Sequence, residues 1–332
     1  MDTDDFNGRE MTPSFRIDHM SDSAVDLIRT RFFEEMLESV SPRSRLEIHN
    51  LFQETSPTFI LDRVTKDICF KASVTQKSIV IGLKATMRLQ AHAYAASAIL
   101  SELAAHRGCT DTKSDNPRLS CADNLSNWAV GNELKLIAER LDYSIEGTNP
   151  FSNIEADLSP EQYSDLSESD RRIGNRFFKY ALCFITLHEL AHLKFKHEGS
   201  TIENEKAADR FASDWLIEAS MSYENDSTKR FFSQCGVAIC FLWLMCHNIF
   251  IGRKDTRSHP QAYDRFYQTL ENMLVYDDAD QIEQIWDFTA RLLLVHMSAA
   301  GFQFDSETDF VHLREGRHFF VNHLLNRISQ MP

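Results

Sequence analysis

The sequence predicts an α+β fold, mostly α-helical, with one small antiparallel β-sheet. Three observations carry this. Apolar residues recur at helical spacing over long stretches, as in Phe177, Ala181, Phe184 or Ile185, His188, His192 and Phe195. Three short runs, Phe59-Ile60-Leu61, Ile68-Cys69-Phe70 and Ile79-Val80-Ile81, are β-rich and separated by polar turns. The chain has 332 residues, 43% of them hydrophobic and 25% charged, which suffices for a substantial core in one large domain or two smaller ones.

Taken in order, residues 1–20 are acidic and polar and read as a disordered arm. A helix is expected over Asp22–Val40, capped by Ser21, with Val25, Ile28, Phe32 or Phe33, and Met36 on one face. The three β-rich runs follow, then a long alanine-rich helix over Lys84–His106 that ends near Gly108. Residues 107–126 are polar and form the clearest internal break, so 21–110 groups the first helix, the sheet and the long helix. A helical region, 127–332, packs with 21–110 as one catalytic unit. It opens with a helix near Asn127–Leu141, followed by an acidic stretch at 142–170 that reads as a surface loop or a lid. Further helices are expected at 230–251, 261–275, 279–299 and 316–329, the 279–299 helix stopped by Gly301.

Between them lies the stretch Phe184–Leu216, which carries the chemistry. His188, Glu189 and His192 form H-E-x-x-H on the helical stripe, with Ser167 or Ser169 to cap the helix and Gly199 to stop it. Residues four apart share a helix face, so His188 and His192 can offer two imidazole nitrogens to one ion. Glu189 is rotated off that line and sits where a base for an activated water belongs. Thirteen residues after His192 comes Glu205, with Ala208 and Asp209 completing E-x-x-A-D on a second helical face. Catalytic zinc takes three protein ligands and keeps one position open. Glu205 is the expected third ligand, giving one Zn2+ per chain. Asp209, one turn on, is expected to orient a ligand histidine, His188, from outside. Core histidines are the bland alternative, but unpaired imidazoles on an apolar face are costly.

Composition narrows the function classes. A formal net charge of -14 argues against a general nucleic-acid binder, which needs a basic face. The seven cysteines are odd in number, lie mostly in apolar runs and lack C-x-x-C spacing, as expected of reduced thiols in the cytoplasm. The N-terminus has no signal-peptide character. The apolar run Cys235–Ile251 is short for a bilayer span of ~20 residues and contains His247 and Asn248, so a buried helix is expected. There is no glycine-rich phosphate loop.

His188–His192, His197, Glu205–Asp209 and the downstream Ala262-Tyr263-Asp264-Arg265-Phe266-Tyr267 together resemble the Lit-type phage-exclusion peptidases. These are cytoplasmic bacterial zinc peptidases of the gluzincin kind, and the resemblance covers roughly residues 55–300. It implies a zincin-like fold and cleavage of a peptide bond in translation elongation factor Tu, triggered by a phage capsid peptide during infection. It further implies that a sheet edge beside the zinc helix binds substrate as an added strand, although the three strands also fit a purely structural sheet. The H-E-x-x-H and E-x-x-A-D parts are also similar to ImmA/IrrE-type regulator proteases, and Ser258-His259-Pro260 resembles the HtpX type.

His259 precedes a proline at a helix start, which aims its side chain. It is a candidate oxyanion donor, a candidate occupant of the open metal position, or a helix cap. Tyr263 is the alternative oxyanion donor, and Arg265 is expected to anchor the loop to a carboxylate. His197, five residues after His192, is expected to line the cleft or cap the helix rather than bind metal. Three readings follow: a zinc endopeptidase, a protease of a transcriptional regulator, or a zinc-stabilised interaction protein without catalysis.

Overall fold

The structure, a computed structural model, describes residues 14–16, 42–62, 70–107, 167–199, 201–221, 227–250, 262–299 and 316–329. Four strands, β1 (Ser14–Arg16), β2 (Thr58–Asp62), β3 (Phe70–Ser73) and β4 (Ser78–Gly82), form one sheet in the order β1-β2-β4-β3. The sheet is mixed rather than antiparallel. β1 pairs with β2 and β2 with β4 in parallel, and only β3 and β4 form an antiparallel hairpin. The reason lies in which strands tolerate burial. β4, Ser-Ile-Val-Ile-Gly, buries Ile79 and Ile81 and takes a central place. β3, Phe-Lys-Ala-Ser, alternates apolar and polar residues and suits an edge.

β1 falls inside the segment expected to be a disordered arm. β3 begins where the expected strand at Ile68–Phe70 ends. The helices expected at 22–40 and 127–141 lie outside the described residues, as do 108–126 of the break expected at 107–126 and 142–166 of the acidic stretch expected at 142–170, whose last residues, Glu168–Asp170, are helical.

Among the described residues the helices are α1 (Pro42–Thr55), α2 (Leu83–Arg107), α3 (Glu168–Phe195), α4 (Ile202–Met221), α5 (Ser227–Phe250), α6 (Ala262–Leu274), α7 (Ala279–Ala299) and α8 (Arg317–Ser329). The protein is thus α+β and mostly helical. α1 was not foreseen: its buried face is narrow, carried by Ile48, Leu51 and Phe52.

α3 is the central element, packed against α2, α4 and α5 and touching β3. It starts where Ser167 caps it, the Ser167 hydroxyl oxygen accepting from the Asp170 N–H at 3.1 Å. Glu168 and Asp170 complement the helix dipole in its first turn. α5 can lie close to α3 because Gly236 faces it. A Cβ at Gly236 would come within 2.6 Å of Tyr180 Cβ and 2.9 Å of the Ala181 backbone nitrogen. The apolar run of α5 is core, with Cys235, Val237, Ala238, Ile239, Cys240 and Phe241 buried. No helix among the described residues is long and apolar enough to cross a membrane.

Candidate metal centre and active site

α3 and α4 converge on a group of donor atoms at the C-terminal half of α3. Their contact is close because Ala208 and Ala212 on α4 are small and fully buried. Glu205 sits in the first turn of α4, its N–H bonded to Thr201 O at 3.0 Å. His188 Nε2 lies 3.1 Å from His192 Nε2 and 3.4 Å from Glu205 Oε2, and His192 Nε2 lies 3.7 Å from Glu205 Oε1. Zinc with ligand bonds of ~2.0–2.2 Å in a tetrahedron sets its ligand atoms roughly 3.3–3.5 Å apart. The two imidazole nitrogens and the Glu205 carboxylate thus converge within 3.1–3.7 Å, the two histidines facing different oxygens of Glu205, and the donor set, two imidazoles and a carboxylate, suits zinc.

The remaining groups hold this set in place. His188 Nδ1 lies 2.9 Å from Asp209 Oδ1, with the carboxylate off the ideal line for the ring N–H. Asp209 in turn receives a two-pronged contact from Arg265 on α6, Nε to Oδ2 at 2.6 Å and Nη2 to Oδ1 at 2.7 Å. The third prong, Arg265 Nη1, lies 2.8 Å from Glu205 Oε2. One buried guanidinium thus contacts both Glu205 and Asp209 of α4, and its Cζ lies over the Phe241 ring, 5.7 Å from the centroid.

Glu189 is buried beside this group and points to the sheet. Its Oε2 accepts a hydrogen bond from the Ala72 N–H of edge strand β3 at 2.6 Å. The candidate base, the sheet edge and the donor set are therefore in one place.

The electrostatics agree with a cation site. Glu189, Glu205 and Asp209 are three buried carboxylates against one buried arginine. A divalent ion closes that balance. Without it, protons do. Burial opposes a charge on His188, but Asp209 and then Glu205 override it and raise its pKa to about 9. Burial and the charge on His188 push His192 the other way, so the two touching rings share one proton and His188 holds it. Burial raises the Glu189 carboxyl, with His188 and the Ala72 N–H opposing. Burial also works against ionised Asp209, yet Arg265 holds its carboxyl below the usual range.

Of the residues singled out in the sequence, the structure brings together His188, Glu189, His192, Glu205, Asp209 and Arg265. His259 lies outside the described residues. Tyr263 lies in the first turn of α6, two residues before Arg265. Two participants were not foreseen. The Ala72 N–H is a backbone donor and leaves no side-chain signature. His197 was expected to line the cleft or cap the helix, and its contact with His192 was not foreseen. α3 does not run on to Gly199: it stops at Phe195, and Lys196 turns left-handed at φ 54°. That turn folds His197 back, so its Nδ1 lies 3.0 Å from His192 Nδ1.

The family model described as Peptidase U49 matches residues 91–289, more than half of the chain and all of α3, α4 and α6. The chain belongs to this peptidase family. His188, Glu189, His192, Glu205, Asp209 and Arg265 all fall inside the family's span, whereas Ala72 lies before it. Over 157 residues the chain is 26% identical to the "Cell death peptidase" of Escherichia coli (strain K12), a stretch covering 46% of this chain and 48% of that protein. The matched region thus spans about half the length of that curated relative. No solved structure matches.

Proposed function

We propose that this chain is a zinc-dependent endopeptidase with a zincin-like active site, acting on a protein in the cytoplasm. The observation that carries the reading is the convergence of His188 Nε2, His192 Nε2 and the Glu205 carboxylate within 3.1–3.7 Å, with the Glu189 carboxylate alongside. Membership of a peptidase family supports the chemistry.

His188, His192 and Glu205 would hold the ion, leaving one position open. When bound, zinc supplies a Lewis acid that acidifies water and polarises the peptide carbonyl. Glu189 accepts the proton of the attacking water and delivers it to the leaving amine. Its raised pKa brings it nearer to the working pH, where one carboxyl can both take and return a proton. Asp209 orients the His188 ring, and Arg265 holds Asp209 and Glu205. The oxyanion donor is His259 or Tyr263, both in the region that leads into or opens α6. β3 is the edge strand beside the base, which suits pairing with an extended substrate. A zinc-stabilised protein without catalysis has no need of a buried carboxylate at Glu189.

The resemblance to Lit-type peptidases makes elongation factor Tu the first substrate to try and a phage capsid peptide the first trigger. The test is incubation of the purified protein with bacterial lysate, with and without phage infection, reading new protein termini by mass spectrometry. Termini that appear with the wild-type chain and vanish with Glu189→Gln support the reading. Equal cleavage by both proteins removes Glu189 as the base.

A further inference from the structure

We propose that His197 is a positioning residue for His192, its Nδ1 accepting a hydrogen bond from the N–H that His192 carries at Nδ1 when Nε2 binds metal. The proposal rests on the metal centre proposed above.

An imidazole that gives one nitrogen to a metal keeps its proton on the other, and that N–H needs an acceptor. For His188 the group that faces Nδ1 is the Asp209 carboxylate, 2.9 Å away. For His192 the atom within reach among the described residues is His197 Nδ1, at 3.0 Å. It is a lone pair when His197 carries its own proton on Nε2.

The local fold fixes this contact from three sides. The left-handed Lys196 reverses the chain directly after α3. The His197 N–H then donates to His192 O at 3.0 Å, tying the two residues through the backbone as well. Phe195 lies against the His197 ring, centroids 5.5 Å apart at 30°. The His192 and His197 ring centroids lie 5.0 Å apart, with the ring planes inclined at 75°.

A neutral acceptor also suits the charge of the centre. Three carboxylates are already balanced by Arg265 and a divalent ion. A carboxylate at position 197 would add an unmatched negative charge, whereas an imidazole adds none.

The test separates the acceptor from the ring. His197→Asn keeps an acceptor oxygen near the Nδ1 position and loses the ring. His197→Phe keeps the ring against Phe195 and loses the acceptor. Zinc affinity is measured by chelator competition for both, for the wild-type chain and for His192→Ala. In parallel, NMR of the zinc-loaded proteins follows solvent exchange of the His192 Nδ1–H. His197→Phe should lose about 10–100-fold in zinc affinity and exchange that proton faster, while His197→Asn stays within about threefold of wild type. A phenylalanine variant that binds zinc like wild type, or equal losses in both variants, would overturn the proposal. Undiminished zinc binding in His192→Ala would instead overturn the metal centre itself.

Discussion

Replacing Arg265 by methionine tests the electrostatic frame. Arg265 is buried and makes three contacts of 2.6, 2.7 and 2.8 Å to Asp209 and Glu205, which are themselves only 2% and 5% exposed. Methionine fills similar space with no charge, so two carboxylates stay buried with one neutralising partner fewer. Breaking a buried pair by removing one member costs about 3–5 kcal/mol. For a chain of 332 residues, that corresponds to a melting temperature lower by about 4–7 °C. The effect should depend on metal. A divalent ion supplies positive charge at the same carboxylates, so zinc should raise the melting temperature of Arg265→Met by more than it raises that of wild type. Adding Asp209→Asn to the variant should recover part of the loss in the metal-free protein, since it removes one unmatched charge. The assay is calorimetry or thermal fluorescence, with chelator and with zinc. A metal-free loss of less than about 2 °C would show that Arg265 does not compensate these carboxylates.

Asp209→Asn alone should lower zinc affinity by about 10–100-fold by chelator competition, whereas an effect under twofold would separate Asp209 from the His188 ring. The metal-free protein should lose stability as pH rises from about 6.5 towards 9. The His188 pKa is raised from 6.5 to about 9 in the fold, so its contribution is complete below pH 6.5 and lost as pH passes the folded value. A melting series flat across that window would mean His188 is neutral throughout. Gly236→Ala should destabilise by about 1–3 kcal/mol, because the new Cβ meets the α3 backbone and Tyr180 rather than a side-chain end that can move. An unchanged denaturation midpoint would show that α5 can draw back from α3 at no cost. Tyr263→Phe and His259→Ala, assayed for zinc content and turnover, assign the oxyanion donor. The variant that keeps zinc and loses turnover names it, and if neither loses turnover both candidates fall.

Much of the site was legible because its chemistry repeats with the helix. His188 and His192 are four apart and Glu205 and Asp209 are four apart, so each pair shares a face whatever the exact helix ends. Arg265 could be read as a carboxylate anchor from its motif, but that it grips both carboxylates is tertiary. The Ala72 N–H is a main-chain donor that any residue but proline would supply, and no pattern announces it. That His197 contacts His192 was not foreseen. Five residues on, a continuing helix points away, but the left-handed Lys196 ends it and brings the ring back. The sheet order escaped for a related reason: periodicity shows which segments are strands but not that β4 inserts between β2 and its own hairpin partner β3, which makes the β2–β4 pair parallel.

The most direct test of the metal centre is anomalous diffraction at the zinc edge from crystals of the purified protein. One peak is expected, ~2.0–2.2 Å from His188 Nε2, His192 Nε2 and a Glu205 oxygen. A peak bound elsewhere, or none in crystals grown with zinc, would contradict the account.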